Sequence, residues 1–419
     1  MLRSMYSGIS GLRSHQIYMD TVGSNIANVN TTGYKSSGVI FSDMLSQVLS
    51  GAGAPGELSG GTNPAQVGLG TRIAGIQTSF VQGATQLTGR ATDMAIQGDG
   101  FFVARSGGEN LYTRAGSLSF DANGALVTPS GGIIQGWSAN ANGVVDINSP
   151  VTDLTVPIGQ ILQPNESTSV QLGGNLPADA EVGDAIVTTI DIVDSQGTPL
   201  PLTLTWTKTG DDAWEVSATT PDPANPGSNL DLISPATPVT FDPSTGLPSI
   251  GSTTIATAGL PGEWAGTDVT VDFGEPGDPD GLVQFSGEQT MTALGQDGSE
   301  IGFLRSFSID PSGLISGVFS NGMRRDLGQV ALAAFNNPTG LERAGDTAFR
   351  ATANSGEAAM GVAGTGPFGS IAGGTVEMSN VDLAAEFTNM ISAQRGFQAN
   401  SRVITASDEI LQDLVNMKR

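Results

Sequence analysis

The chain has 419 residues, 58 of them glycine, a formal net charge of −24 and no cysteine. That length accommodates about two to four domains, and the absence of cysteine excludes a disulfide framework or a thiolate metal site. No run of about eighteen apolar residues marks a membrane-spanning helix, and the glycine-rich, aromatic-poor composition favours turn-rich β structure over a helical enzyme.

Residues 2–28 read as one amphipathic helix. Leu2, Met5, Ile9, Leu12, Met19 and Ile26 follow an alternating spacing of three and four, the pattern of a coiled-coil seam. Gln16 and Gly23 interrupt that seam, and Gly8 and Gly11 weaken the helix further, so it is expected to be marginal alone and to need partners. The single histidine, His15, is expected on its solvated face. Asn28, Asn30, Thr31, Thr32 and Gly33 supply turn chemistry that ends the helix. No apolar core of about 7–15 residues follows Arg3, so export, if it occurs, is expected to use no cleavable signal.

A short apolar stretch, Val39 to Leu49, precedes a glycine-rich loop over residues 50–64. From residue 67 the pattern changes to short β runs. Turn signals punctuate them, among them Asp121-Ala122-Asn123-Gly124 and Pro129-Ser130-Gly131-Gly132. Residues 151–290 hold 20 acids and one base, Lys208, so most of the net charge sits there. Alternation over Ile186–Val193 and Leu202–Trp206, with Ala213–Val216 as hairpin partner across Gly210-Asp211-Asp212, reads as an acidic β sandwich or barrel inserted into the chain. Such a surface stays soluble and repels nucleic acid and anionic membrane.

Residues 299–350 return to the earlier β style, and Asp310-Pro311-Ser312-Gly313 resembles the Asp121–Gly124 turn. In the final helix Leu383, Met390, Phe397, Ile404 and Leu411 recur every seven residues. Phe387 and the row Val403, Ile410 and Met417 add apolar surface beside that seam. Ser379 or Asn380 is the expected N-cap, with Asp382 in the first turn. Lys418 and Arg419 suit the negative end of the helix dipole.

The fold expected is multidomain: a terminal α-helical coiled-coil layer plus two mainly antiparallel β domains, nested so that the N- and C-terminal segments pair. The layers are 1–28 with 379–419 (helical core), 29–72 with 371–378 (connecting segment), 73–149 with 288–370 (inner β domain) and 150–287 (acidic outer β domain). No catalytic motif stands out, and no catalytic, cofactor or metal site is assigned. The string Gly364, Gly366, Gly369 contains Pro367 and lacks a strand before and a helix after it, so it does not read as a dinucleotide loop. Asp272, Glu275, Asp278 and Asp280 do not have EF-hand spacing and read as a solvated acidic turn. Trp206, Trp214 and Trp264 could form a sugar-stacking platform but more simply fill a β core. Two apolar helices that leave surface uncovered suggest lateral self-assembly.

Longer motifs carry a family resemblance. Ser24-Asn25-Ile26-Ala27-Asn28-Val29-Asn30-Thr31-Thr32-Gly33-Tyr34-Lys35 resembles the N-terminal motif of bacterial flagellar rod and hook proteins. Ala91 to Phe102, Tyr112 to Gly116 and Ala334 to Leu341 resemble their shared β domain. Ser379-Asn380-Val381-Asp382-Leu383 through Asn400 resembles their C-terminal helix. The resemblance covers roughly residues 1–150 and 290–419, and the long middle insert points to the hook branch over the shorter rod proteins. It implies a structural protein, not an enzyme, that forms a curved helical tube outside the cell and acts as a universal joint passing torque from rod to filament. It implies export through the flagellar type III gate. The implied partners are further copies of the chain, the flagellar rod, the hook cap, hook–filament junction proteins and hook-length control proteins, with no cofactor, nucleic acid or membrane insertion. A distal rod protein is the alternative.

Overall fold

The computed structural model describes the chain except Met1 and residues 56–59, 141–142, 157–158, 160, 223–224, 226, 234–235, 257–261, 263, 265–267, 275–280 and 418–419, and except the side chains of Leu2, Leu414 and Val415. Glu275, Asp278, Asp280, Lys418 and Arg419 therefore lie outside the described residues. The chain divides into two compact units: residues 1–158, 307–316 and 326–419, and residues 159–306 with 317–325.

The first unit carries both helices, α1 (Leu2–Ala27) and α2 (Leu383–Asn416), which pack against each other. Asn28 closes α1: its side-chain amide donates to the Ser24 carbonyl at 2.9 Å, and its Oδ1 accepts from Thr31 Oγ1 at 3.1 Å. Gly33 then turns the chain with φ +68°, and a Cβ there would lie 2.4 Å from the Ala115 nitrogen, so no other residue fits. Asp382 is the N-cap of α2, accepting from the Ala384 and Ala385 amides at 2.9 and 3.2 Å. The expected caps Ser379 and Asn380 lie further upstream. Asn380 is committed elsewhere, accepting from the Ser36 amide and donating to the Ser79 and Val81 carbonyls.

The α1–α2 contact uses a different register from the expected α1 seam. Gly8, Gly11, Ser14, Val22 and Asn25 are the buried positions of α1, whereas Met5, Leu12, Met19 and Ile26 are half-buried and Ile9 is exposed. Close approach explains the choice. A Cβ on Gly11 would meet Asn400 at 2.7 Å, one on Gly8 would meet Ile404 at 3.1 Å, and one on Gly396 of α2 would meet the His15 ring at 2.5 Å. The glycines that weaken the helix in isolation let the two backbones approach. His15 is accordingly not on a free face: its ring lies against Gly396, 5.8 Å from the Phe41 ring. Phe41 belongs to strand Ser37–Asp43, which pairs with Thr71–Thr78 and continues as Ser46–Ser50 paired with Ala65–Gly68. Over the described residues, the apolar stretch thus forms one arm of a long hairpin whose other arm is residues 62–78.

The β body of this unit centres on Phe101–Ser106, hydrogen-bonded to Glu109–Thr113 and Ile133–Ser138, with Arg324–Ala334 joining through Leu332 and Ala333. Phe80, Phe101, Phe335 and Phe349 meet edge to face, with centroids 5.2 to 6.1 Å apart. The two Asp-led turns have one geometry. Asp121 Oδ1 accepts from the Asn123 and Ala125 amides, and Asp310 Oδ1 from the Ser312 and Leu314 amides, each with the glycine that follows at positive φ. Gly364 to Gly369 is a turn, closed by the Gly364 amide on the Gly369 carbonyl, that carries the chain from strand Ala359–Val362, paired with Arg324–Ala334, to strand Ser370–Gly373, paired with Met94–Gln97.

The second unit is a two-sheet sandwich. One sheet is an antiparallel run through Ala185–Val193, Pro199–Gly210 and Ala213–Pro221, with the 210/213 hairpin as expected. In the other, Ser169–Pro177 pairs parallel with Val269–Asp272 and Leu282–Phe285, a pairing the sequence pattern did not suggest. Trp206 and Trp214 are fully buried, and Trp206 meets Phe273 of the facing sheet at 5.1 Å, so both are core and not a platform. Trp264 packs partly buried against that core. Lys208 falls on the inward side of its strand and donates to the Ala178 and Ala180 carbonyls at 2.6 and 3.0 Å.

Candidate functional site

The residues expected to carry function divide between an apolar surface and a buried polar hub, both within the first unit. Leu383, Phe387 and Ile391 form an i, i+4, i+8 stripe on α2, exposed by 40, 51 and 53%. Val403 and Ile410 continue exposed apolar surface along the helix, as Tyr6, Ile9 and Ile17 do on α1. Met390, Phe397, Ile404 and Leu411 are half-buried; Ile404 lies against Gly8 of α1, and the buried Ser407 is hydrogen-bonded to Ser4 at 3.3 Å. The α1 members Met5, Leu12, Met19 and Ile26 flank the helix contact without being sealed by it. The side chain of Leu2 lies outside the described residues. Exposed apolar residues recur on the long hairpin at Ile40, Leu45, Val48 and Leu49. Exposed apolar surface of this kind is a candidate for interaction.

The hub lies where α1 ends and α2 begins, and it gathers Asn25, Gly33, Tyr34, Lys35 and Asn380. Asn25 is fully buried and makes four bonds. Its amide nitrogen donates to the Ser37 carbonyl and Glu386 Oε1, and its oxygen accepts from the Ser37 amide and the Tyr34 hydroxyl, all between 2.9 and 3.2 Å. Arg343 lies over the Tyr34 ring, 4.9 Å from its centroid, and donates to the Tyr34 hydroxyl, the Ser37 hydroxyl and the Lys35 carbonyl. Lys35 Nζ donates to Glu377 Oε1 at 2.6 Å and to the Val81 carbonyl at 2.9 Å, and both side chains of this pair are wholly buried. The Gly83 amide donates to the same carboxylate oxygen, and Arg114 Nη1 stands 3.6 Å from the other. Burial pulls the Lys35 pKa below its ordinary value, opposed by the Glu377 carboxylate. Burial likewise lowers Arg114, with Glu377 and then Asp99 opposing. Asn28 and Asp382 act at the hub's margins as the helix-end residues already described.

Glu377 and Arg343 are the hub members that lie outside every family motif, whereas Arg114 stands in the Tyr112 to Gly116 motif. Glu377 is 342 residues from Lys35, so no local periodicity links them. The hint available was an isolated acid in the apolar run Gly374-Thr375-Val376-Glu377-Met378. Chemically the hub offers charge-assisted bonds that fasten two distant segments of the chain. Among the described residues no group of three or more potential ligands could hold a metal ion.

Comparison with known proteins agrees with this geometry. Sequence families match in four blocks: "Flagella basal body rod protein" over residues 5–35, "Flagellar hook protein FlgE/F/G D1 domain" over 95–175, "Flagellar basal body protein FlaE D2 domain" over 175–299 and "Flagellar basal body rod FlgEFG protein C-terminal" over 372–417. The flagellar hook protein FlgE of Borreliella burgdorferi is 40% identical over all of both chains, and that of Escherichia coli is 33% identical over 98% of each. A Bacillus subtilis flagellar basal-body rod protein, FlgG, is 32% identical over all of both chains. The solved Helicobacter pylori flagellar hook protein FlgE2 shares the fold at a TM-score of 0.53 and 17% identity, covering 68% of this chain and 98% of its own. Identities of 33 and 40% over 98% or more of each chain to hook proteins, with matching blocks at both termini and in the middle, show that the chain belongs to the flagellar hook protein FlgE family.

Proposed function

We propose that many copies of this chain stack into the curved helical tube of the flagellar hook and act there as a universal joint, bending while passing torque from rod to filament. The observation that carries this reading is the apolar surface left open on helices that already pack against each other. Leu383, Phe387, Ile391, Val403 and Ile410 need a cover that only neighbouring subunits supply in number. A heterologous contact that does not close builds a filament instead of a ring. Marginal terminal helices keep the free subunit soluble and threadable, which suits export through the type III gate to a site outside the cell. The rod, hook cap, junction and length-control proteins are the partners this position implies. The acidic middle segment adds contacts between neighbours that are weak and salt-sensitive, as a joint that bends at low cost requires.

The similarity to a Bacillus rod protein of equal coverage supports a second reading, a straight distal rod. Electron microscopy separates the two. The full-length chain is expected to assemble into curved tubes on addition of salt, and a chain trimmed to residues 30–378 to stay dispersed. Straight tubes favour the rod, and assembly of the trimmed chain refutes the helix-driven account.

A further inference from the structure

We infer that Glu377 couples the docking of the two terminal helices, so that α1 seats on the β body only when the C-terminal segment is already in place. The inference rests on the reading that these helices are the assembly elements, and it adds an order of events. Between residues 25 and 37, four buried or half-buried donors find acceptors in a segment more than 340 residues further on. Asn25 Nδ2 donates to Glu386, the Gly33 amide to the Glu377 carbonyl, Lys35 Nζ to the Glu377 carboxylate and the Ser36 amide to Asn380. Without that segment α1 could dock only by burying those donors with fewer partners.

The charges make the dependence steep. The Lys35 and Arg114 side chains are 0 and 2% exposed, and both lean on the Glu377 carboxylate. Take Glu377 away and two cations remain in one interior, Lys35 with the Val81 carbonyl and Arg114 with the weaker pull of Asp99 and the Phe101 ring face, 5.3 Å from its guanidinium carbon. A buried charge stripped of its partner is among the costliest defects a fold can carry. The converse removal is milder, because Glu377 would keep Arg114 if Lys35 were lost. The carboxylate is therefore the shared member, and it arrives last, since a chain is made from its N-terminus. An incomplete chain holds α1 undocked, and the Gly8–Gly11 face has no α2 to meet. Premature pairing of subunits through a half-built helical layer is thereby blocked.

The test is amide hydrogen exchange on the full-length protein under assembling salt, read separately over residues 2–27, 383–416 and 185–221. In Glu377→Gln, which keeps side-chain volume, exchange over residues 2–27 is expected to rise on the order of a hundredfold. The rise over 383–416 should be comparable, and residues 185–221 should be unchanged. Glu377→Asp should recover part of the protection, and Lys35→Met should lose less than Glu377→Gln. The coupling is overturned if Glu377→Gln loosens α2 while α1 keeps wild-type protection, or if wild-type α1 shows no protection at all. Tube formation is scored separately by microscopy. Normal tubes with unchanged α1 exchange would sink the coupling alone, whereas failure of the wild-type chain to form tubes would sink the assembly reading.

Discussion

Removing Phe387 and Ile391 together isolates assembly from folding. Both side chains are about half exposed in the subunit, at 51 and 53%. Complete burial of such a side chain is worth about 1.5–3 kcal/mol, so the half that a neighbour would cover contributes about 0.8–1.5 kcal/mol per residue. The double variant Phe387→Ala/Ile391→Ala should therefore weaken each subunit addition by about 1.5–3 kcal/mol, a factor of roughly ten to a hundred in critical concentration. Alanine is the best helix former, so α2 itself should not suffer. Sedimentation of tubes across a concentration series gives the critical concentration, and circular dichroism of the dispersed chain gives helix content. An unchanged critical concentration at unchanged helicity would show that this stripe is not covered in the tube, and the argument from exposed apolar area would fail.

Trp206→Ala should cost the middle sandwich about 3–5 kcal/mol, seen in calorimetry as a lower transition for that unit alone. Gly116→Ala should prevent the first unit from folding at all, because its Cβ would lie 1.5 Å from the Met94 carbonyl oxygen, and a soluble, normally folded variant would contradict the packing described. Lys35 predicts a pH effect of defined sign. Its folded pKa lies below the ordinary 10.5, so the unfolded chain binds the proton more tightly and the contribution of Lys35 to stability should rise as pH climbs toward 10.5. Tyr18 and Tyr112, both raised chiefly by burial, act oppositely above 10.0, so the measurement is the difference between wild type and Lys35→Met in urea unfolding across alkaline pH.

Local chemistry was legible and long-range pairing was not. The Asp121 and Asp310 turns, the hairpin across residues 210–213 and the helix-ending role of Asn28 are dictated within a few residues, and each appears as read. The heptad of α2 included Ile404, which lies against Gly8 of α1, though Leu383 at its head is exposed. The α1 register misled because periodicity counts apolar volume, whereas this contact is made by the absence of volume at Gly8, Gly11 and Gly396. The motif residues Asn25, Tyr34, Lys35 and Asn380 could be singled out but not connected. Their shared partners Glu377 and Glu386 lie hundreds of residues from the N-terminal members. The parallel pairing of Ser169–Pro177 was hidden for the same reason: its partners begin about a hundred residues downstream and share no turn with it.

Lys208 faces the interior, and this has a mechanical consequence. It is the single base among residues 151–290, which hold twenty acids, and its side chain is turned into the sandwich. No cation from this stretch is left at the surface to lock onto a neighbour's carboxylate. The segment must instead carry a cloud of mobile counterions about 8 Å deep at physiological ionic strength. Pressing two such clouds together confines their ions and raises a restoring pressure, and drawing them apart relaxes it without breaking any bond. Where neighbouring copies bring these stretches together, residues 151–290 are expected to act as a soft osmotic spring, with a stiffness set by the ionic strength of the surrounding medium.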